Sequence, residues 1–345
     1  MNLGELREIG ATGVRIGPLG FGGAAIANLF SSVAETQAAE AIRTAFTIGL
    51  CHFDTAPYYG YGLSESRLGP LLAEMPRQAI TVATKAGYVL GCDLARESDS
   101  VFSGDLPDIG VAFDYSRAGL LASLEGSLGR LGLDRIDILL IHDLDSTVHR
   151  DADVLERHHR MVIDEGWPTL SELRATGVVR AIGFGLNHAG MAHRLLKETD
   201  PDVMLLAGRY TLLEQTDALP FLDACTMRGV AAMIGGPFNS GILAGGSHYD
   251  YAAADAGVRA RVARLAAVCA AHEVALSAAA LHFPFGQPAV MTVLPGMRSA
   301  EEVRRNAALL ASPVPAELWR QMRAEGLLAE GVPTPRGGLG RIARP

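Results

Sequence analysis

Short apolar segments rich in β-branched residues alternate along the chain with longer segments in which apolar residues recur every three to four positions. The short segments predict strands and the longer ones predict helices, eight of each in strict alternation. The predicted strands are Pro18–Gly22, Leu50–Thr55, Ile80–Lys85, Ile136–His142, Val178–Phe184, Val203–Leu206, Val230–Ile234 and Val290–Leu294. The predicted helices are Glu35–Ile48, Ser64–Glu74, Ser116–Leu131, Thr169–Thr176, Ala189–Glu198, Ala218–Arg228, Val258–Ala271 and Ala300–Leu310. Apolar strands between helices predict a parallel sheet, and eight such units favour a closed α/β (β/α)8 TIM barrel over an open sheet.

Some segments depart from this repeat. Two short alternating runs flank Ala11-Thr12-Gly13, which predicts an N-terminal β-hairpin that caps one end of the barrel. Residues Leu90–Asp114 and Thr147–Pro168 form long loops after strands, where a barrel carries its active site. We see no linker or repeat and expect one domain over residues 1–345. The tail after Leu327 is expected to pack loosely or to cover the barrel mouth.

Composition excludes several classes of protein. With 345 residues, 49% of them hydrophobic, the chain is a folded protein and not a disordered or fibrous one. The net charge of −8, without a basic cluster, argues against nucleic-acid binding. No apolar run reaches the ~20 residues of a membrane helix, and the amino end has no apolar signal core, so we expect a cytoplasmic protein. The four dispersed cysteines and the absence of metal-binding spacings predict no metal site. Oligomeric state stays open.

Lysine is scarce in this sequence, which makes its position informative. The 30 basic residues comprise 28 arginines and two lysines, and one of these, Lys85, ends the third predicted strand. Asp54 and His142 come at the ends of the second and fourth, and Tyr59 follows Asp54 in the same loop. Because the carboxyl ends of barrel strands surround one mouth, we expect these four side chains to lie together.

Such a group is suited to proton transfer. A free phenol has a pKa near ~10, which is too high for an efficient base at neutral pH. A neighbouring ammonium lowers the pKa of the phenol by stabilising the phenolate, and we expect Lys85 to act in this way on Tyr59. The carboxylate of Asp54 would hold Lys85 charged, and His142 could donate a hydrogen bond to a substrate oxygen.

The motifs around these residues resemble those of the aldo-keto reductases. HFDTAPYYGYGLSESRLG, residues 52–69, is similar to the amino-terminal signature of that family, TVATKAGY contains its lysine and LLIHDLD its histidine. The resemblance extends from the opening hairpin to about Leu310. It implies a catalytic tetrad of Asp54, Tyr59, Lys85 and His142 and a nicotinamide cofactor.

The resemblance also implies a cofactor site. IGFGLN (residues 182–187) departs from the family's usual Gly-x-Ser-Asn carboxamide-binding turn, so that only its Asn187 carries over, and Tyr210 stands where the family stacks an aromatic ring on the nicotinamide. GGPFNSGIL (residues 235–243), with small residues and exposed backbone amides, is suited to a pyrophosphate, and LPGMRSAEEVRRN (residues 294–306) to the adenosine. The implied cofactor residues are Gly22, Gly23, Asn187, Tyr210, Pro237, Asn239, Ser240, Gly241, Leu243, Gly296, Arg298, Ser299, Glu302 and Asn306.

Glu302 stands where the family usually has glutamine. A carboxylate there can accept a hydrogen bond from a ribose 2′-hydroxyl and repels a 2′-phosphate, which favours NAD. Arg298 and Arg305 favour the phosphate, so NADP stays possible.

Several segments look most like a branch of sugar dehydrogenases that includes aldose 1-dehydrogenases and pyridoxal 4-dehydrogenases. This likeness implies oxidation of a cyclic hemiacetal or a primary alcohol, with Tyr58 and Tyr88 as walls for the substrate ring. Asp143 could bind a sugar hydroxyl or cap the following loop. Two other functions stay open: an NADPH-dependent carbonyl reductase and a non-enzymatic redox-sensing subunit. The pair His158-His159 is expected to be solvated in a polar loop.

Overall fold

Eight parallel strands, each followed by at least one helix, form the centre of the protein. The computed structural model describes residues 1–95 and 101–335. The strands are β1 (Arg7–Glu8), β2 (Arg15–Ile16), β3 (Phe21–Gly22), β4 (His52–Asp54), β5 (Thr81–Ala86), β6 (Tyr88–Gly91), β7 (Gly110–Phe113), β8 (Ile138–His142), β9 (Ala181–Leu186), β10 (Val203–Ala207), β11 (Ala231–Gly235), β12 (His248–Tyr249), β13 (Ala252–Ala253) and β14 (Val290–Leu294). The α-helices are α1 (Glu35–Thr47), α2 (Leu63–Ala73), α3 (Arg117–Leu131), α4 (Ala152–Met161), α5 (Trp167–Ala175), α6 (Ala189–Glu198), α7 (Leu219–Arg228), α8 (Ala256–Ala271), α9 (Leu276–His282), α10 (Ala300–Ala311) and α11 (Ala316–Ala324).

The sheet closes into the predicted barrel. Its strand order is β3-β4-β5-β8-β9-β10-β11-β14, and neighbouring strands are parallel throughout. Parallel bridges from Leu19 to Val293 and from Gly22 to Gly296 join the first strand to the last. The TIM-barrel prediction is therefore confirmed.

Apolar side chains fill two layers because successive residues of a strand point to opposite faces. One cluster fills the barrel, and the other lies between the strands and the surrounding helices. The predicted hairpin forms from β1 and β2, which pair antiparallel. Its residues Ile9, Val14 and Ile16 join the inner cluster and close the amino-terminal end of the barrel. The opposite end, where the strands finish, stays available for a site.

The second predicted loop, Thr147–Pro168, is largely helical, which corrects the prediction. Helix α4 begins after Asp151, whose carboxylate accepts hydrogen bonds from the amides of Asp153 and Val154. His159 is buried, and its ring pairs with Glu198 at 2.6 Å. The expectation that His159 is solvated is therefore wrong. Because this segment is rich in charged residues, its helical pattern of apolar positions is difficult to recognise in the sequence. Asp151, a residue type that often caps helices, was the available signal of a helix start.

Part of the first predicted loop, Leu90–Asp114, forms an antiparallel hairpin of β6 and β7, and its residues 96–100 lie outside the described residues. In the tail, Leu327 and Leu328 are buried, and Gln215 bonds to the backbone of Leu327 and Ala329. This part of the tail packs firmly, whereas residues 336–345 lie outside the described residues. Within the described ranges, no single helix is long and apolar enough to cross a membrane. The segments 256–271 and 276–286, which meet at an angle of 96°, have the necessary length and composition only when they are counted together.

Candidate active site

Three of the four predicted catalytic side chains meet at the amine of Lys85. Its Nζ donates to Asp54 Oδ2 at 2.9 Å, to the carbonyl of Thr55 at 2.8 Å and to the hydroxyl of Tyr59 at 3.1 Å. Asp54 and Lys85 are buried, and Tyr59 is half-buried. The strand ends of β4 and β5 are hydrogen-bonded neighbours, which is why residues 31 positions apart form an ion pair.

His142 ends β8 and completes the group. Its ring lies edge-on to Tyr59, with the ring centres 5.8 Å apart. Burial, and then the charge of Lys85, lower the pKa of His142 well below its usual value. A neutral imidazole has a single N–H group. Its Nε2 lies 3.6 Å from Asp143 Oδ1, whereas Nδ1 is buried without a hydrogen-bond partner among the described residues. The carboxylate favours the proton on Nε2, so that His142 can donate a hydrogen bond.

The expected lowering of the Tyr59 pKa is not observed. Burial, followed by the charges of Asp54 and Asp143, raises the pKa of Tyr59 well above its usual value. Lys85 donates to the Tyr59 hydroxyl from its ion pair with Asp54, and the pKa of Tyr59 stays raised despite this contact. In the protein alone, Tyr59 is therefore a proton donor at neutral pH.

Glycines make room for the group at two places. A Cβ atom on Gly185 would lie 3.2 Å from Lys85 Cε, so the residue that departs from the family's turn leaves space for the lysine. A Cβ on Gly22 would lie 2.8 Å from the carbonyl of Pro295, and one on Gly23 would lie 2.7 Å from that of Asp54. These two positions bring the backbone of the first strand directly against the site.

Asp143 connects the tyrosines that we predicted to line the substrate site with the turn that we predicted to bind the cofactor. Its carboxylate accepts hydrogen bonds from the Tyr88 hydroxyl at 2.8 Å and from Asn187 Nδ2 at 2.9 Å. Tyr88 is almost fully buried and stacks against Tyr58, with the ring centres 4.6 Å apart. Tyr58 is the more exposed of the two rings. Tyr58 can therefore contact a ligand directly, while Tyr88 supports it from below.

The segment 235–243 forms a rigid turn at the end of β11. Pro237, Asn239 and Leu243 are buried, and the Asn239 side chain bonds to the carbonyl of Gly208 at 3.1 Å. Several amides that we expected to be exposed, including those of Gly241 and Leu243, donate to carbonyls of the same turn. Ser240 and Gly241 are half-buried. The turn is preorganised, and fewer of its amides are available to a pyrophosphate than we expected.

Glu302 is already engaged at the start of α10. Its carboxylate accepts from the backbone N of Arg298 at 2.9 Å and from Arg298 Nε at 3.0 Å. Ser299 caps the helix and accepts from the amide of Glu302. Gly296, in the loop before α10, is exposed, whereas Asn306, within α10, is buried. The arginine expected to attract a 2′-phosphate is thus neutralised by the adjacent carboxylate.

Tyr210 does not belong to this site. Its side chain has no exposed surface, and its ring packs 5.1 Å from that of Phe283 within the outer apolar cluster. A ring without exposed surface cannot stack on a ligand, so this expectation is corrected. The next residue, Thr211, is fixed in place by its hydroxyl, which donates to Asn239 Oδ1 and accepts from the amides of Leu213 and Glu214.

Other aromatic residues near the mouth were not predicted. The Phe102 ring lies 5.5 Å from Tyr58 and 6.3 Å from Tyr59. Phe30 stacks on His248 at 5.0 Å, which brings the loop after β3 against the hairpin of β12 and β13. These residues lie in loops without periodicity, and only their aromatic character could have suggested them. Among the described residues, no group of three or more His, Cys, Asp or Glu could hold a metal ion.

The sequence and the fold both have known relatives. The chain is 37% identical to a pyridoxal 4-dehydrogenase from Microbacterium luteolum, over 94% of this chain and 98% of the relative. It is 36% identical to a D-threo-aldose 1-dehydrogenase from a Pseudomonas species, over 94% and 97%. An aldo-keto reductase structure from Bacillus halodurans superposes with a TM-score of 0.69 at 23% identity, covering 95% of this chain and 97% of that one. Residues 18–325 match the aldo/keto reductase family. The chain therefore belongs to the aldo/keto reductase family, whose members are oxidoreductases that use NAD(P)(H).

Proposed function

We propose that this protein is an NAD-dependent dehydrogenase that oxidises a cyclic aldose of the L-fucose or D-threo type at C1 to a lactone. The observation that carries the proposal is the group around Lys85, which joins an acid–base phenol, a carboxylate and a neutral imidazole at the barrel mouth. The D-threo-aldose 1-dehydrogenase relative supports the substrate class. The buried Asp143 carboxylate supports it too, because it provides an acceptor for a sugar hydroxyl.

The residues divide the chemistry among them. When bound, the oxidised nicotinamide would supply the hydride acceptor and a positive charge. Oxidation removes a hydride from C1 and a proton from its hydroxyl, which leaves the carbonyl of the lactone. Tyr59 takes this proton, Lys85 stabilises the phenolate that must form first, and Asp54 keeps Lys85 in place. His142 holds the reacting oxygen through its Nε2–H group.

The residues expected to hold the cofactor fit a dinucleotide. Gly22 and Gly23 keep the first strand close to the catalytic group, the turn 235–243 has small residues, and Ser299 begins a helix whose N-terminus favours an anion. The Glu302–Arg298 pair supports NAD, because a 2′-phosphate would have to displace the carboxylate from the arginine. Both oxygens of Glu302 accept from Arg298, and each has a further lone pair that could accept from a ribose hydroxyl.

One observation favours a second candidate, an NADPH-dependent carbonyl reductase. The pKa of Tyr59 lies above its usual value, and a protonated phenol suits the donation of a proton to a carbonyl oxygen. Oxidation needs the phenolate, so its rate should rise with pH through the neutral and alkaline range. The rate of carbonyl reduction should stay level over that range, because the phenol remains protonated below its raised pKa. Pyridoxal, a flat ring that Tyr58 could stack on, stays an alternative substrate.

The test is the initial rate of absorbance change of the nicotinamide, with NAD and NADP each offered L-fucose, L-galactose, D-arabinose and pyridoxal. Reduction of NAD by one of the sugars supports the proposal, and reduction by pyridoxal alone supports the alternative. If none of the four compounds reduces NAD or NADP and a simple aldehyde oxidises NADPH, the aldose and pyridoxal dehydrogenase functions are both contradicted and the carbonyl reductase is supported.

The cofactor preference has its own test. Glu302→Gln frees Arg298, and we expect the ratio of kcat/KM for NADP to that for NAD to rise about tenfold. Glu301→Gln, at the exposed neighbouring position, is the matched control and should leave the ratio unchanged. An unchanged ratio in Glu302→Gln would remove Glu302 as the determinant.

A further inference from the structure

A strained turn carries an exposed tyrosine at the edge of the site. Strands β12 and β13 pair antiparallel and are joined by the two residues Asp250 and Tyr251. Both have left-handed backbone, with φ of 48° and 64°. Turns of this kind usually have glycine at the second position, because a bulky residue is strained there. Here that position is occupied by a tyrosine.

The turn is held to two of the segments expected to bind the cofactor. Arg209 donates to Asp250 Oδ1 at 2.7 Å and to the carbonyl of Asn187 at 2.7 Å. The amide of Tyr251 donates to the Ser240 hydroxyl at 2.9 Å. The strained position is therefore fixed by specific contacts.

A chain of contacts places Tyr251 beside the catalytic phenol. Its ring lies 6.2 Å from that of Phe30, whose amide bonds to the carbonyl of Val101, and the ring of the next residue, Phe102, lies 6.3 Å from that of Tyr59. The side chain of Tyr251 is 48% exposed, although most apolar and aromatic residues of this size are buried here. Burial, followed by nearby acidic groups that include Tyr59 and Asp143, raises the pKa of Tyr251, in agreement with this placement.

Burial does not explain this arrangement. A ring that is about half exposed contributes little to folding, and its left-handed backbone costs free energy that asparagine or glycine would not. Strained residues that persist at the edge of a site are a sign of function. An exposed aromatic face beside an acid–base group is suited to the C–H face of a sugar or to a pyridine ring.

We infer that Tyr251 contacts the substrate and forms the outer wall of its site, so that the enzyme prefers ring-shaped substrates over short aldehydes. This inference rests on the proposed function, because it requires a ring-shaped substrate to be turned over. Tyr251 would act by contact with the substrate ring, with no part in the proton transfer.

The experiment compares Tyr251→Asn with wild type on the best ring substrate and on glyceraldehyde. Asparagine tolerates left-handed backbone, so the turn should persist. We expect kcat/KM for the ring substrate to fall about tenfold, mostly through KM, and that for glyceraldehyde to change less than twofold. Cofactor Kd should be unchanged, and Tm should not fall. Tyr251→Phe should keep most of the activity.

The matched control is Glu273→Asn, since Glu273 is exposed, has a φ of 56° and lies between α8 and α9. It should change neither kinetics nor Tm. Equal losses on both substrates, a loss of cofactor affinity, or no kinetic change in Tyr251→Asn would overturn the inference. If the wild type turned over only short aldehydes, both the proposed function and this inference would be refuted. If the wild type turned over a ring substrate and Tyr251→Asn had the same kcat/KM for it, the inference alone would be refuted.

Discussion

The two ends of the barrel accommodate left-handed backbone in different ways. At the end closed by the hairpin, helices turn into the next strand at glycines with positive φ, namely Gly49, Gly132, Gly177 and Gly229. At the end that carries the site, many positions with positive φ have side chains. Of the nine such non-glycine residues in the described ranges, eight lie in loops of this end: Asn28, Phe30, Tyr61, Asp143, Asn239, Ser240, Asp250 and Tyr251.

This difference separates stability from function within one fold. A glycine gives the left-handed turn without steric cost, which is sufficient where only chain reversal is needed. A side chain at such a position costs free energy and is justified by what the side chain does. Asp143, for example, joins Tyr88, Asn187 and His142 from a backbone φ of 54°. Substitutions at the two ends should therefore affect different observables.

Tyr59→Phe should have the largest effect and should be confined to activity. Loss of the hydroxyl removes the group that exchanges the proton, and we expect turnover to fall by at least ~100-fold with cofactor affinity nearly unchanged. Steady-state kinetics and a cofactor titration by fluorescence would check this. Retained turnover would show that Tyr59 is not the acid–base group. A fall in Tm together with turnover would contradict the assignment of stability and activity to different ends of the barrel.

His52 lies inside the barrel, two residues before Asp54, and predicts acid sensitivity. Burial, and then the charge of Lys85, lower its pKa to about 3. Between pH 6.5 and 3 the unfolded chain binds a proton there that the native chain does not, so stability falls as the pH falls. The loss from pH 7 to pH 5 is about 2 kcal/mol.

Denaturant unfolding of wild type and His52→Leu at both pH values checks this prediction. Neither ring nitrogen of His52 has a hydrogen-bond partner among the described residues, so leucine should be tolerated at pH 7. The variant should lose about 2 kcal/mol less than wild type on acidification. Equal losses would show that other groups, such as His142, cause the acid sensitivity.

Asp143→Asn tests whether a left-handed side chain at the site end is functional. The charge would be lost while a similar shape remains, and we expect KM for a sugar substrate to rise about tenfold. Because Asp143 raises the pKa of Tyr59, the variant should also reach its half-maximal rate of oxidation at a lower pH. A pH–rate profile measures both effects. A profile identical to that of wild type would restrict Asp143 to a structural role.

The sequence was sufficient to predict the barrel and the positions of Asp54, Tyr59, Lys85 and His142, because strand ends follow directly from apolar periodicity. It could not predict which loop side chains face the mouth. Tyr210 follows the strand after the one that precedes Asn187, at the end of the barrel that carries the site, yet its ring is buried in the outer apolar cluster. Tyr251 was missed because its position depends on a two-residue turn with no glycine. The pKa of Tyr59 depends on its burial and on the nearby charges of Asp54 and Asp143, which only the three-dimensional arrangement reveals.

Gly177→Ala should give the smallest effect, at the closed end of the barrel. Gly177 follows α5 with a φ of 76°, and a Cβ there would meet no atom within 4 Å, so the cost is backbone strain alone. We expect a loss of about 1 kcal/mol of stability and unchanged kcat/KM. Gly177→Asn is the matched control, since asparagine tolerates this conformation and should lose less. If Gly177→Ala lowered kcat/KM as well, the two ends of the barrel would be coupled, and stability and activity could not be assigned to separate ends.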